Sequence, residues 1–499
     1  MEILSRQGCR NIDNETINKV GIPSIVLMEN AANGITNIIK EMGKKIIVFC
    51  GTGNNGGDGL AVARKLHLLN KDVEVFLVGD IKRISNDCNL NLKIIKNLNI
   101  PTINVEREED IKNTIIEKVM EADYIVDSIF GIGLNRNVSG IYKYIIEVIN
   151  KYSKFTVAID IPSGMDSDTG EALGDAIKAD ITCTVEVMKR GFISSKAVEL
   201  TGDIKIVNID IPDYIKKQNS ERTYILSKDK YKKMIPIRKK TGHKGNYGKI
   251  LIVAGSEKYC GAAFITTEAC VRTGSGLVTL LTHKDVSSAL KGRLTEAMIQ
   301  EYSSYEDVDT LGEFDVIACG PGFSKAENSK IILKKIIEET DCKLVLDADA
   351  LNIISENNDL IKGLKGRTII TPHPGEMARL VDKTISEVEK DRIEIAKKFA
   401  KEHNITVLLK GYHTVITDGI DVFINTTGNS KMASGGMGDC LTGIIASFIG
   451  QNLNIIEGTL LGAYVHGYIG DELSRNMYSV NARDIIEELP KTIEKLCEN

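Results

Sequence analysis

Several things are scarce or missing in this 499-residue chain, and each removes a class of protein. Proline is rare, at 9 residues, so proline-stiffened linkers do not join its parts. Basic charge is not in surplus. The 63 Lys and Arg stand against 68 Asp and Glu, which removes the broad positive surface of a nonspecific nucleic-acid binder. The ten cysteines contain no Cys-x-x-Cys pair, so neither a disulfide framework nor a structural zinc site is indicated, and the thiols read as reduced. No apolar run approaches the ~20 residues of a membrane helix, and residues 1–19 lack the apolar core of a signal peptide. A cytoplasmic protein is expected, with no membrane and no nucleic-acid partner.

What is present belongs to a globular α/β chain. Apolar residues make up 42% and charged residues 26%, enough for sizeable cores. The length implies two or three domains. Short β-branched runs at 45–50, 73–78, 124–129, 155–159, 181–187 and 204–209 alternate with helical segments, which implies a mostly parallel sheet covered on both faces. The rhythm breaks in a polar, charged stretch from Pro212 to about Lys230. A second series follows at 249–254, 277–281, 316–318, 343–346, 368–371 and 406–409. The halves share no obvious repeat, so a fusion of two different domains, 1–218 and 219–499, is expected, each with its own site.

In the first half, Gly-Thr-Gly-Asn-Asn-Gly-Gly-Asp-Gly (51–59) follows a strand and is expected to form a loop before a helix at 60–69. Its G-x-G-x-x-G spacing would let backbone N–H groups approach a phosphate, and a dinucleotide cofactor with Asp80 on its ribose is the ordinary reading. Asn54, Asn55 and Asp58 argue instead for a hard cation or a hydroxyl-bearing ligand. Asp127, and Asp160 with Ser163, add oxygens at two further strand ends, where ligand crevices of parallel sheets lie. Taken singly, each aspartate reads as a helix cap or turn residue.

Together, Asn-Asn-Gly-Gly-Asp-Gly, Asp-Ser-Ile-Phe-Gly-Ile-Gly and Asp-Ile-Pro-Ser-Gly-Met-Asp resemble the NAD(P)H-hydrate epimerase domain over about residues 1–215, which implies a Rossmann-like doubly wound sheet. The resemblance implies that Asn54, Asn55, Gly56, Gly57 and Asp58, with Gly131, Ile132, Gly133, Leu134, Asn135, Arg136 and Asn137, hold the hydrated dinucleotide. It also implies that Asn55, Asp127 and Ser163 bind a potassium ion, and that Asp160 contacts substrate and exchanges a proton. Lys189 stands where the family places a partner lysine, although Met188 replaces the usual preceding proline. Inversion at C6 of the hydrated nicotinamide needs reversible ring opening or proton movement, so one group must accept a proton and another stabilise charge. By residue type alone, Lys189 reads equally as a solvated strand-end lysine.

The second half carries Gly428 to Asp439, a glycine-crowded run leading into an apolar helix at 440–449. Backbone donors at such a helix start form an anion hole, and Asp439 at its lip is either a base for a substrate hydroxyl or a cap. Gly-Gly-Met-Gly-Asp resembles the ribokinase-like small-molecule kinases, which implies an α/β/α sandwich. With Gly320-Pro321-Gly322, Asp347 to Asn352, Thr371 to Glu376 and Lys410 to Thr414, it is similar to the ADP- or ATP-dependent NAD(P)H-hydrate dehydratase. That resemblance implies that Ala263, Gly322, His373 and Asp439 contact the hydrate, while Lys410, Gly411, Tyr412, His413, Thr414 and Gly438 bind adenine nucleotide. Ser434, Met437 and Tyr412 depart from the common family pattern.

The expected whole is a bifunctional repair enzyme acting on NADHX and NADPHX. It would use potassium in the epimerase, magnesium and ADP (or ATP) in the dehydratase, and would form a homo-oligomer. Two alternatives stand beside it: a small-molecule kinase with a stable phosphorylated product, and a noncatalytic binding module in place of the epimerase.

Overall fold

A strand such as Lys-Ile-Ile-Val-Phe-Cys has apolar residues on both faces, so it is stable only with cover on both sides. The computed structural model, which describes residues 1–110, 114–308 and 311–498, supplies that cover. The chain divides into two compact units, Met1–Thr223 and Tyr224–Asn499.

In the first unit, β1 (Lys45–Cys50), β2 (Asp72–Val78), β3 (Thr102–Val105), β4 (Tyr124–Ser128), β5 (Thr156–Ile159), β6 (Ile181–Val185) and β7 (Asp203–Val207) form one parallel sheet. Its order is β3-β2-β1-β4-β5-β6-β7. The order reverses between β1 and β4, the place where doubly wound sheets open a ligand crevice. Ile46, Val48 and Cys50 point into one apolar layer, and Ile47 and Phe49 into the other. Helix α2 (Ser24–Ile39) buries Leu27, Met28, Ala31, Ala32, Ile35 and Ile39, the stripe expected of a helix packed on such a layer.

The N-terminal segment is tied to the carboxyl ends of these strands. Ile3–Leu4 pairs in parallel with Met188–Lys189. Helix α1 (Arg6–Glu15) is capped by Ser5, whose hydroxyl accepts from Gly8 N–H at 3.1 Å. Arg6 N–H donates to Asp168 at 2.6 Å, and its guanidinium pairs with Asp166 at 2.6 Å.

Only residues 51–53 of the glycine run are a loop. Helix α3 spans Asn54–Leu68, so Asn54 to Gly59 form its opening turns. Glycine costs about 1 kcal/mol in a helix relative to alanine. Contact with the sheet outweighs that cost here: a Cβ on Gly56 would strike the Gly51 carbonyl, and one on Gly59 the Ser128 side chain. Gly56 and Gly59 bring the helix against the strand ends. Gly56→Ala is therefore expected to destabilise this unit by about 1–3 kcal/mol despite its better helix propensity. Denaturant unfolding checks this; equal or greater stability would contradict it.

In the second unit, β8 (Lys249–Val253), β9 (Leu277–His283), β10 (Met298–Tyr302), β11 (Val316–Cys319), β12 (Lys343–Leu346), β13 (Thr368–Ile370) and β14 (Thr406–Leu409) are parallel in the order β14-β13-β12-β11-β8-β9-β10. A hairpin of β15 (Thr414–Thr417) and β16 (Val422–Asn425) continues antiparallel beyond β14. Four helices matter for the site: α4 (Cys260–Arg272), α5 (Pro374–Leu380), α6 (Met437–Gly450) and α7 (Ile455–Ser474). Helix α6 is buried on all sides from Cys440 to Gly450, which explains its all-round apolar sequence. Among the described residues, no helix is long and apolar enough to cross a membrane.

Candidate active sites

At the carboxyl ends of β1 and β4 lies a cavity of about 670 Å³. It brings together Asn54, Asn55, Asp58, Asp160 and Lys189, and the segment Gly131, Ile132, Gly133, Leu134, Asn135 and Arg136. Gly56, Gly57 and Asn137 are not on its wall, and Asp127 and Ser163 are fully buried away from it. The sequence reading missed Cys9, Arg10 and Asp13 on α1, and the ring pair Phe130 and Tyr142, with centroids 4.8 Å apart.

Asp160 follows β5 with a left-handed φ of 66°, and its Oδ1 accepts from Val185 N–H at 3.3 Å. Its Oδ1 receives the Lys189 ammonium at 2.5 Å. Lys189 is 2% exposed, so it is no solvated lysine. Its Nζ also donates to Thr184 Oγ1 at 2.9 Å and to the Val185 carbonyl at 2.8 Å. Burial opposes its charge most strongly, but Asp160, Cys9 and Asp13 together outweigh it and move the lysine above its ordinary range. Burial, reinforced by Asp160, pushes Asp58 well up.

Asp127 and Ser163 are joined by two bonds: Ser163 N–H and hydroxyl donate to the two carboxylate oxygens at 2.7 and 2.6 Å. Ile129 N–H adds a third at 3.2 Å. No basic side chain pairs with Asp127 among the described residues, and burial pushes its carboxyl up to about 6. The Asn55 amide is buried with neither its oxygen nor its nitrogen hydrogen-bonded. A buried amide and carboxylate lacking charge compensation form the donor set a monovalent cation would satisfy.

In the second unit the polar groups gather at the ends of β12, β13 and β14 and the start of α6. Asp347, 1% exposed, accepts from Lys410 Nζ at 2.7 Å and from Thr442 Oγ1 at 3.0 Å. Glu376 stands 4.0 Å from the same ammonium. Gly436 caps α6 with φ 88°, and a Cβ at Gly438 would lie 3.3 Å from Lys410 Nζ. Asp439 is in the first helical turn, and burial, then Asp347, pushes it up to about 6. Asp347, Thr442 and Glu376 had been given no role from sequence, although two of them fall within quoted motifs.

The remaining expected residues are placed unevenly. His373 caps α5, its Nδ1 accepting from Gly375 N–H at 3.0 Å, and its half-exposed ring sets Nε2 3.5 Å from Glu376 Oε1. Gly322 sits beside Tyr259 and Ala262 with φ 58°. Ala263 is fully buried in α4, so its side chain offers no surface for the expected contact. Gly411 and Tyr412 are exposed, the Tyr412 ring lies 3.9 Å from that of His413, and Thr414 hydroxyl donates to the Gly411 carbonyl at 3.1 Å.

A family model described as NAD(P)H-hydrate dehydratase matches residues 250–491, and one described as YjeF-related protein N-terminus matches residues 24–191. A bifunctional NAD(P)H-hydrate repair enzyme of Moorella thermoacetica is 38% identical over 498 residues, covering 95% of this chain and 93% of its own. The chain belongs to the bifunctional NAD(P)H-hydrate repair enzyme family. A Dictyoglomus turgidum member of the family is 32% identical over 99% of both chains. Among solved structures, a ribokinase-like superfamily protein from Enterococcus faecalis V583 is 30% identical, with TM-score 0.52, over 56% of this chain and 98% of that one. The ADP/ATP-dependent NAD(P)H-hydrate dehydratase of Bacillus subtilis, co-crystallised with ATP and Mg2+, is 27% identical with TM-score 0.50, over 56% of this chain and all of that one. Both fold expectations, the doubly wound sheet and the ribokinase-like second domain, stand.

The raised Asp439 has a thermodynamic consequence. Below the ordinary carboxylate range it is protonated both folded and unfolded; as pH rises through about 6 the folded unit must hold a poorly solvated charge, and stability falls. Asp439→Asn is expected to raise the melting temperature of this unit by a few degrees at about pH 8 and to leave it unchanged near pH 4. A calorimetric scan of both proteins at the two pH values checks this.

Proposed function

We propose that the first unit interconverts the R and S hydrates of NADH and NADPH, and that the second dehydrates the S hydrate with ADP, yielding AMP and phosphate. The observation that carries the reading is a single chain with two acid-bearing sites, matched end to end by bifunctional repair enzymes.

In the first unit, Asp160 accepts the C6-hydroxyl proton, and Lys189 holds the carboxylate in place from below. Asn54, Asp58 and Gly131 to Arg136 face the hydrate across the cavity. Asn55, Asp127 and Ser163 hold potassium, which supplies the positive charge that the buried carboxylate and amide lack. Potassium is expected to raise the first unit's melting temperature by a few degrees over lithium at equal ionic strength, and Asp127→Asn to abolish that difference. Equal melting in both salts would remove the potassium assignment.

In the second unit, Asp439 removes the proton of the C6 hydroxyl as that oxygen attacks the terminal phosphoryl group of the nucleotide. The amides at the start of α6 and the Lys410 ammonium receive the phosphoryl charge. His373 and Gly322 border the hydrate, and Lys410 to Thr414 border the nucleotide. Phosphate then leaves C6, driven by the N1 lone pair, and loss of a C5 proton restores the C5=C6 double bond. Phosphorylation is needed because hydroxide is a poor leaving group. Among the described residues, no group of three His, Cys, Asp or Glu is placed to cage a metal, which suits magnesium bound mainly through the nucleotide's phosphates, whose charge it neutralises.

Mixed R and S hydrates supplied with ADP or ATP are expected to convert completely, with reduced-nicotinamide absorbance and inorganic phosphate rising together. Asp160→Asn is expected to stop after the S fraction apart from spontaneous epimerisation. Asp439→Asn should lose about 10²–10⁴ of the dehydration rate. A stable phosphorylated product without absorbance would favour the kinase reading, and unchanged epimerisation in Asp160→Asn the binding-module reading.

A further inference from the structure

Ring opening and closure at C6 moves two protons, one on the C6 oxygen and one on N1, and the cavity offers Asp160 for the first. Lys189 is not available for the second. An ammonium has three N–H bonds, and here they go to Asp160 Oδ1, Thr184 Oγ1 and the Val185 carbonyl at 2.5, 2.9 and 2.8 Å. With every donor occupied and the side chain buried, Lys189 has no N–H left to give to N1; it is a positioning residue for Asp160.

We propose that Asp13 is the second catalytic residue of the epimerase, donating a proton to N1 as Asp160 takes the proton of the C6 hydroxyl. This rests on the reading of the first unit as an epimerase. Asp13 lines the cavity from α1, and its carboxyl makes no hydrogen bond or ion pair among the described residues. The helix that carries it is anchored to the segments that carry its partners: Arg6 to Asp166 and Asp168 beyond Asp160, and Leu4 to Lys189. The titratable groups facing Asp13 are Lys189, Asp160 and Glu186, with Asp58 on α3 and Cys9 on its own helix. Glu186 is already engaged, accepting from Ile209 N–H at 2.8 Å and Lys216 Nζ at 2.6 Å. Burial first, then Asp160 and Glu186 against Lys189, pushes Asp13 up to about 6, which keeps a protonated fraction near neutrality.

The step balances without a co-reactant. The C6–N1 bond breaks, C6=O forms, the hydroxyl proton passes to Asp160 and the Asp13 proton to N1. Rotation presents the other face of the aldehyde; N1 then attacks it, returning its proton to Asp13 as Asp160 reprotonates the oxygen. Nothing is oxidised or reduced.

The test follows the approach of pure S hydrate to the R,S mixture, using the full chain without nucleotide. The wild-type kcat is expected to fall above an apparent pKa near 6, as Asp13 ionises. Asp13→Asn is expected to lose about 10²–10⁴ of kcat, with little change in KM, and to lose that limb; Asp13→Glu should keep the limb at a displaced pKa. Wild-type kcat and an intact limb in Asp13→Asn would overturn the proposal. So would a limb that survives there and vanishes in Asp58→Asn, the other unpaired carboxyl on the cavity wall. If Asp13→Asn loses the first unit's thermal transition, Asp13→Glu decides alone, an undisplaced limb overturning the proposal. A wild-type chain that does not exceed the spontaneous rate overturns the epimerase reading itself, a distinct result.

Discussion

A carboxylate buried at the end of a parallel strand must be given either a cation or a proton, and both units are built around that constraint. Each meets it in the same two ways. One aspartate is tied to a lysine: Asp160 to Lys189 and Asp347 to Lys410. A second aspartate, carried on a helix beside the strand ends, has no ion-pair partner and is pushed up to about 6 by burial: Asp13 on α1 in one unit and Asp439 on α6 in the other. Two unrelated sheets have thus arrived at a fixed ion pair beside a carboxyl that titrates near neutrality, the combination that acid–base chemistry at ordinary pH requires.

The ion pairs have a local conformational cost. Asp160 has φ 66°, and Ala348, next to Asp347, has φ 48°. Non-glycine residues in that region carry roughly 1–3 kcal/mol of strain, tolerated where surrounding structure leaves no alternative. Here the surroundings are strands with apolar residues on both faces, locked in register with neighbours on either side. The rigid sheets hold the bend, and the bend aims the carboxylate.

What could be read beforehand followed from how strongly burial marks a sequence. Asp127 and Asp160 were legible because each ends an unbroken apolar run, and such runs place their carboxyl ends at a crevice. Asp439 was legible from the glycines before it. Gly56, Gly57 and Gly59 were misread as loop because helix propensity argues against them, and only the nearby Gly51 carbonyl and Ser128 side chain explain why the helix needs glycine at 56 and 59. Lys189 looked as solvated as any lysine, since its burial depends on Thr184 and Val185 folding back around it. Asp13 was invisible: it sits among polar residues in a helix whose mostly charged and polar residues do not announce an inward-facing carboxyl. The antiparallel hairpin and the edge strands β3 and β10 were missed because their alternating or short apolar runs do not stand out from turns.

The parallel ladder between Ile3–Leu4 and Met188–Lys189 also dictates a sequence of events in time. Nearly the whole first unit separates its two halves along the chain, so closing it is among the most entropically costly steps in folding. On a ribosome, the segment carrying α1 emerges first yet has no docking partner until the Lys189 strand follows. Helix α1, made before any strand of the sheet, is then the last wall of the cavity to be set, and a nascent chain can own a complete β1-to-β5 scaffold while still lacking the reaction chamber.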